Sequence, residues 1–238
     1  METPGYTSLT RQSGLMREMQ SVANNIANVS TTGYRREGLV FSEFVKALEP
    51  GEPSLSMANA NVRNIDRTQG PLTQTGGTFD FAIEGEGFFM VETAEGPLLT
   101  RAGSFTPSAE GELVAPDGAR LLDGGGAPVF VPPDAGSVAL AADGTLSADG
   151  VPLNQMGLYL PADINELSRR AGVRFAVEGE VLPVEDGRIL QGFVESSNVD
   201  PMSEIARMIE VQQAYQLGQQ FLDKEDERIR GVLQTLGR

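Results

Sequence analysis

Apolar positions recur at helical spacing at the two ends of the chain and alternate with polar ones in its middle. Near the start, Leu15, Met19, Val22, Ile26 and Val29 step by four and three, which keeps one side of a helix apolar. Thr3 as N-cap and Pro4 at the first helical position predict a helix over about residues 4–28, roughly 37 Å long. Near the end, Ile205, Met208, Gln212, Tyr215, Gln219, Leu222, Asp226, Ile229, Leu233 and Leu236 form a seam at three-and-four spacing. With Asp200 as N-cap, Pro201 behind it and Glu204 in the first turn, this predicts a helix over 201–236, roughly 54 Å long. Between the helices the texture is β. Phe79–Ile83, Phe88–Thr93, Leu98–Thr100, Met156–Leu160, Arg174–Val177, Glu180–Pro183 and Ile189–Val194 read as strands, and Ala162–Arg170 as a turn or two of helix.

Turn chemistry divides the chain further. The run Glu49-Pro-Gly-Glu-Pro53 is a breaker, residues 41–48 fit either an extended segment or a short helix, and 41–78 read as a connecting segment. Residues 110–121 and 143–153 echo one another, each with an acidic-Gly turn, a short strand and an Asp-Gly turn suited to tight hairpins. The expected fold class is therefore α+β. Long N- and C-terminal helices (residues 1–40 and 197–238) pair as a coiled-coil-like domain, and a β-rich, all-β domain occupies 79–196.

Asn24, Asn25 and Asn28 stand out within the first helical pattern, because their amides compete for backbone hydrogen bonds. Asn24 and Asn28, four apart, share a face distinct from the apolar one. Two readings stay open from spacing alone: a frayed helix end running into Thr31-Thr-Gly33, or a polar face that meets neighbouring helices.

The chain has 238 residues, enough for a sizeable core, and ten of its eleven Phe lie between Phe41 and Phe193. It has neither Cys nor His, which removes disulfides, thiolate sites, the usual general base and the usual metal ligand. The net charge of −15 is concentrated centrally. Residues 1–40 carry three acids and four bases, residues 198–238 seven and five, and the rest 23 and nine. Nearly neutral ends around an acidic centre argue against nucleic acid or anionic lipid as a partner. No run is long and apolar enough to predict a membrane-spanning helix. Paired carboxylates, Asp80 with Glu84 or Glu86 and Glu178 with Glu180, are the best candidates for acid–base chemistry. On an acidic chain such pairs are expected on solvated turns, and no run has the ligand spacing of a calcium loop. Gly124-Gly-Gly126 lacks the Lys and Ser/Thr of a phosphate-binding loop. The expectation is a protein that is not an enzyme, with no cofactor, metal, small-molecule substrate or nucleic acid.

Three stretches, in order, carry a family resemblance. Ala23-Asn-Asn-Ile-Ala-Asn-Val-Ser-Thr-Thr-Gly-Tyr-Arg35 resembles the N-terminal signature of the flagellar rod and hook axial proteins. A second signature runs from Gly70-Pro-Leu-Thr-Gln-Thr-Gly76 through Phe79–Ile83 and Gly85-Glu-Gly-Phe-Phe89 to Thr100-Arg-Ala-Gly-Ser-Phe105. The third is Glu195-Ser-Ser-Asn-Val199 followed by Ile205–Tyr215. Gly5–Leu9 and Arg35–Phe44 are most similar to proximal-rod members, with the distal-rod type as the alternative. Outside the family, a secreted or surface β-domain protein trimerised through its helices would share the same element order.

The resemblance implies a structural subunit of the basal-body rod, polymerised into a helical tube that transmits torque from motor to hook. The terminal helices would be the inner domain and the β-rich middle the outer one. Its partners would be other copies, neighbouring rod proteins and the flagellar type III export apparatus. It would cross the periplasm as part of the rod, exported without a cleaved signal peptide and without direct membrane insertion. Packing between subunits is then expected at Leu15, Met19, Val22, Asn24, Asn25, Ile26, Asn28, Val29, Asn198, Ile205, Met208, Gln212, Tyr215, Leu222 and Ile229.

Overall fold

A computed structural model describes the backbone of residues 3–46, 55–170, 172–184 and 187–236; side chains of 3–7, 41–46, 55–63, 164, 233 and 236 are outside that description. The breaker expected at Glu49–Pro53 lies outside the described residues. The chain divides into two compact units.

The first unit comprises Met1–Val29, Arg36–Arg67 and Val199–Arg238. It holds helix α1 (Thr3–Ala27), strands β1 (Glu37–Lys46) and β2 (Leu55–Ile65), and helix α2 (Pro201–Leu236). Asp200 starts α2 as an N-cap should, accepting a hydrogen bond from the Met202 N–H at 3.2 Å and another from the Ser203 hydroxyl. The segment from Phe41, which the pattern left open, is extended up to Lys46. It carries the β-branched and aromatic residues that fit a pleated surface and pairs antiparallel with β2 from Glu37↔Ile65 to Lys46↔Leu55, with a bulge between Val40 and Phe41.

The two terminal helices do not form the expected coiled-coil-like domain. α1 packs on both strands of the β1–β2 hairpin as well as on α2, so the unit is a helix pair built onto a two-stranded ribbon. The side of α2 turned inward includes Glu204, Met208, Val211, Tyr215, Gly218, Leu222 and Glu225, whereas Ile205, Gln212, Gln219, Asp226 and Ile229 of the anticipated seam are exposed. The physical reason is polar. Gln12 donates to the Tyr215 carbonyl at 3.3 Å, Glu18 pairs with Arg207 at 2.5 Å and Asn25 donates to Glu204 at 3.1 Å, so hydrogen-bond geometry sets the rotation of α2. At Gly218 a Cβ would come within 2.7 Å of the Gln12 amide nitrogen.

The second unit, Ser30–Arg35 and Thr68–Asn198, is β-rich. Its largest sheet is antiparallel, in the order Leu167–Arg169, Arg174–Val177, Gly96–Thr100, Phe89–Thr93, Arg120–Leu121, Leu113–Val114, Thr106–Pro107. A three-stranded sheet joins Val138–Leu140, Thr145–Ala148 and Val151–Gln155, and Phe81–Glu84 pairs with Arg188–Gln191. Phe81, Phe89 and Phe105 centre the core, with Phe89 and Phe105 edge to face at 5.9 Å. Ile189–Val194, which reads as one strand, breaks into two at Gly192, where φ is +76°. The internal echo appears as two hairpins whose Asp-Gly turns differ. Asp149 and Gly150 both have positive φ, 51° and 81°, and make a two-residue turn. Pro116-Asp117-Gly118 makes a three-residue turn with only Gly118 left-handed.

Candidate functional site

The three stretches that carry the resemblance fold onto two buried polar centres, one in each unit. In the β-rich unit the centre is Glu195, 1% exposed. One carboxylate oxygen meets Arg35 at 2.9 Å and accepts from the Gly70 N–H at 3.1 Å; the other meets Arg101 at 3.0 Å. Arg35 and Arg101 are 1% and 4% exposed, so all three charges are withdrawn from water. Burial pushes the Arg101 guanidinium down to about 10, with Glu195 opposing the shift, so Arg101 stays charged at neutral pH. Its Nη2 donates to the Gly85 carbonyl at 2.7 Å and its guanidinium lies over the face of Phe88, 5.3 Å from the ring centroid, while its buried Nε has no hydrogen-bond partner among the described residues. Arg35 also donates to the Thr68 carbonyl. Arg169 donates to the Arg35 carbonyl and lies between the rings of Tyr34 and Phe175, at 4.4 and 4.9 Å.

Backbone closeness seals this centre. Gly33 has φ +70° and its N–H donates to the Glu195 carbonyl at 2.7 Å. A Cβ at Gly33 would fall 2.2 Å from the Ala102 nitrogen. A Cβ at Gly70 would fall 2.0 Å from the Ser196 carbonyl oxygen. The glycines of the first two signatures are therefore where three chain segments run side by side.

In the helical unit the centre is Asn25, fully buried. Its amide reads the edge of β1, donating to the Glu37 carbonyl at 2.8 Å and accepting from the Glu37 N–H at 3.0 Å, as a neighbouring strand would. The same amide donates to Glu204, 1% exposed, which Arg36 holds from its other oxygen at 2.5 Å. Asn25 thus fixes α1, β1 and the first turn of α2 together. Asn28 donates to the Asn24 carbonyl at 2.8 Å and finishes α1, and Asn198 donates to the Thr68 carbonyl at 2.9 Å in the β-rich unit.

The other expected packing residues are distributed. Leu15 and Val22 are buried, Met19, Ile26, Val29, Met208, Tyr215 and Leu222 are half-buried, and Asn24, Ile205, Gln212 and Ile229 are exposed. The spacing singled out Asn25 but missed its partners Arg36, Glu37 and Glu204, and missed Glu195, Arg35 and Arg101 as an ion cluster. A usable signal was present: each of the adjacent arginines 35 and 36 has an acid, Glu195 or Glu204, at an end of the Ser-Ser-Asn-Val-Asp-Pro connection.

The candidate acid–base pairs are not drawn into a common site. Asp80 accepts from the Thr75 and Ser104 hydroxyls at 2.6 and 2.7 Å, Glu84 pairs with Arg188, and Glu86, Glu178 and Glu180 are exposed. The arrangement suits rigid positioning of chain segments.

Two family models match this chain. Residues 82–148 match the flagellar hook protein FlgE/F/G D1 domain, and residues 190–235 match the C-terminal region of flagellar basal body rod FlgEFG proteins. The chain belongs to this family of flagellar rod and hook proteins and is a structural rod subunit of the flagellar basal body. Relatives of matching length are flagellar basal-body rod proteins FlgF. That of Caulobacter vibrioides is 38% identical over 100% of this chain and 99% of its own length, and that of Mesorhizobium japonicum is 35% identical over the same shares. The rod protein FlgG of Agrobacterium fabrum is 30% identical over 88% of this chain and 90% of its own.

Proposed function

We propose that this rod subunit polymerises with copies of itself and with neighbouring rod components into a helical tube crossing the periplasm, which transmits torque from the motor to the hook. The observation that carries the reading is the full-length similarity to FlgF proteins, joined to a helical unit that leaves large apolar side chains in water. Met202, Ile205, Ile209, Leu217 and Phe221 of α2 are 46–74% exposed, more than an isolated helix pair needs to show. The role is structural and non-catalytic. Delivery is through the flagellar type III export apparatus, without a cleaved signal peptide. Exposed Asn24, Ile205 and Ile229 would meet neighbouring subunits, whereas Asn25 acts within the chain. Deleting the gene and imaging isolated basal bodies by electron microscopy tests the proposal. The expected result is a truncated rod and non-swimming cells; complete rods with normal swimming would refute it.

A further inference from the structure

The three-stranded sheet of the β-rich unit has two outer strands, Val138–Leu140 and Val151–Gln155. An outer strand with open backbone groups is a template for a strand from another chain. We propose that the side chain of Gln191 is an edge lock: it fills the place of a fourth strand beside Val138–Leu140 and so keeps folded subunits from associating through this sheet.

Register decides which backbone groups face outward. The Ser137 carbonyl accepts from the Asp149 N–H and Ala141 donates to the Thr145 carbonyl, both at 2.9 Å, while Ala139 lies opposite Ser147. Residues 137, 139 and 141 therefore turn their backbone groups to the middle strand, and those of Val138 and Leu140 point to the open side. Gln191 meets one group of each. Its Oε1 accepts from the Leu140 N–H at 3.0 Å and its Nε2 donates to the Val138 carbonyl at 3.0 Å. The other Nε2 hydrogen goes to the Thr78 carbonyl at 2.8 Å. Gln191 ends the strand Arg188–Gln191, whose pairing with Phe81–Glu84 holds it to the core sheet. A single amide, fixed from elsewhere in the unit, thus bonds where a neighbouring strand would. Asn25 does the same at Glu37 in the helical unit.

The opposite edge is closed by other means. The Gln155 carbonyl accepts from the Gly124 N–H at 2.8 Å, and Pro152 has no N–H to offer a partner. Val138-Ala139-Leu140 has neither a charge nor a proline of its own to discourage pairing, so the guard on this edge falls to Gln191. The Ala139 side chain is exposed, which makes that position the place to install a substitute guard.

Sedimentation velocity and thioflavin T fluorescence on the full chain test the lock. Gln191→Ala is expected to lose monomer as concentration rises and to gain thioflavin T signal, relative to the unaltered chain at the same concentrations. Adding Ala139→Lys puts a charge on the freed edge. It should restore the monomer while leaving the melting temperature where Gln191→Ala sets it, because lysine makes none of the bonds of Gln191. Association through the helices would not respond to residue 139. In the unaltered chain, the Leu140 amide should be protected from hydrogen exchange as well as the Ala141 amide is, although it lies on the outer side of the sheet. Gln191→Ala that stays as monomeric as the unaltered chain, association that Ala139→Lys leaves unchanged, or fast exchange at Leu140 would each overturn the proposal.

Discussion

Glu195 is held by two guanidiniums and a backbone N–H with almost no water, so its charge cannot be removed alone without consequence. Glu195→Gln leaves Arg35 and Arg101 buried without their counter-ion, and breaking such a cluster from one side costs about 3–5 kcal/mol. Denaturant unfolding of the purified protein should show a loss of that size, whereas Glu84→Gln, which removes an exposed pair, should shift stability by less than about 1 kcal/mol. Asn25 makes a similar demand. Asn25→Leu removes the amide's bonds to the Glu37 N–H and carbonyl and to Glu204, the carbonyl keeping the Ser21 hydroxyl at 3.1 Å, and should destabilise the helical unit by about 1–3 kcal/mol, seen as faster amide exchange in α1 and β1 with the β-rich unit unaffected. Asp149 answers to pH. The N–H of Gly136, then the N–H and hydroxyl of Ser137, hold its carboxylate below the usual range. Because the folded value is depressed, the stabilisation is present above the ordinary Asp value of about 3.9 and is lost as pH falls through the lower folded one. Acid titration followed by NMR should show the Gly136 and Ser137 amides loosening in that window. Asp149→Asn, which tolerates the residue's φ of 51°, should flatten the response.

At the scale of elements, what was legible in the sequence was whatever depends on period and punctuation. α2 runs over Pro201–Leu236, as Asp200-Pro201 and the three-and-four spacing indicate, and the Asp-Gly pairs mark real hairpin turns. The rotation of α2 was not legible, because a seam counted from apolar residues alone cannot see that Glu204 must meet Asn25 and Arg36. Likewise Arg35, Arg101 and Glu195 lie far apart in sequence, and beyond the adjacent arginines and the acids near the Ser-Ser-Asn-Val-Asp-Pro connection nothing local shows that they converge. Gly33→Ala tests that packing directly, since it adds a Cβ against the Ala102 backbone in a left-handed conformation. It should lower the melting temperature of the β-rich unit by more than Gly118→Ala, whose Cβ would meet nothing within 4 Å.

For the molecule as a whole, the described residues divide their tasks. Buried ion clusters specify how distant chain segments meet, and α1 and α2 keep several large apolar side chains, among them Leu9, Ile209 and Leu217, exposed. Net acidity sits mainly in the central residues. The turn Gly124-Gly125-Gly126, closed by the Asp123 N–H to the Ala127 carbonyl at 2.7 Å, gives this division a practical use. Gly125 is exposed, and its flanks are tied by Asp123, which accepts from both the Gly125 and Ala127 N–H groups at 2.9 Å. A short fluorogenic tag spliced in at that exposed point would ride on the β-rich unit, turning a single turn of three glycines into a handle for watching one subunit enter a growing flagellum.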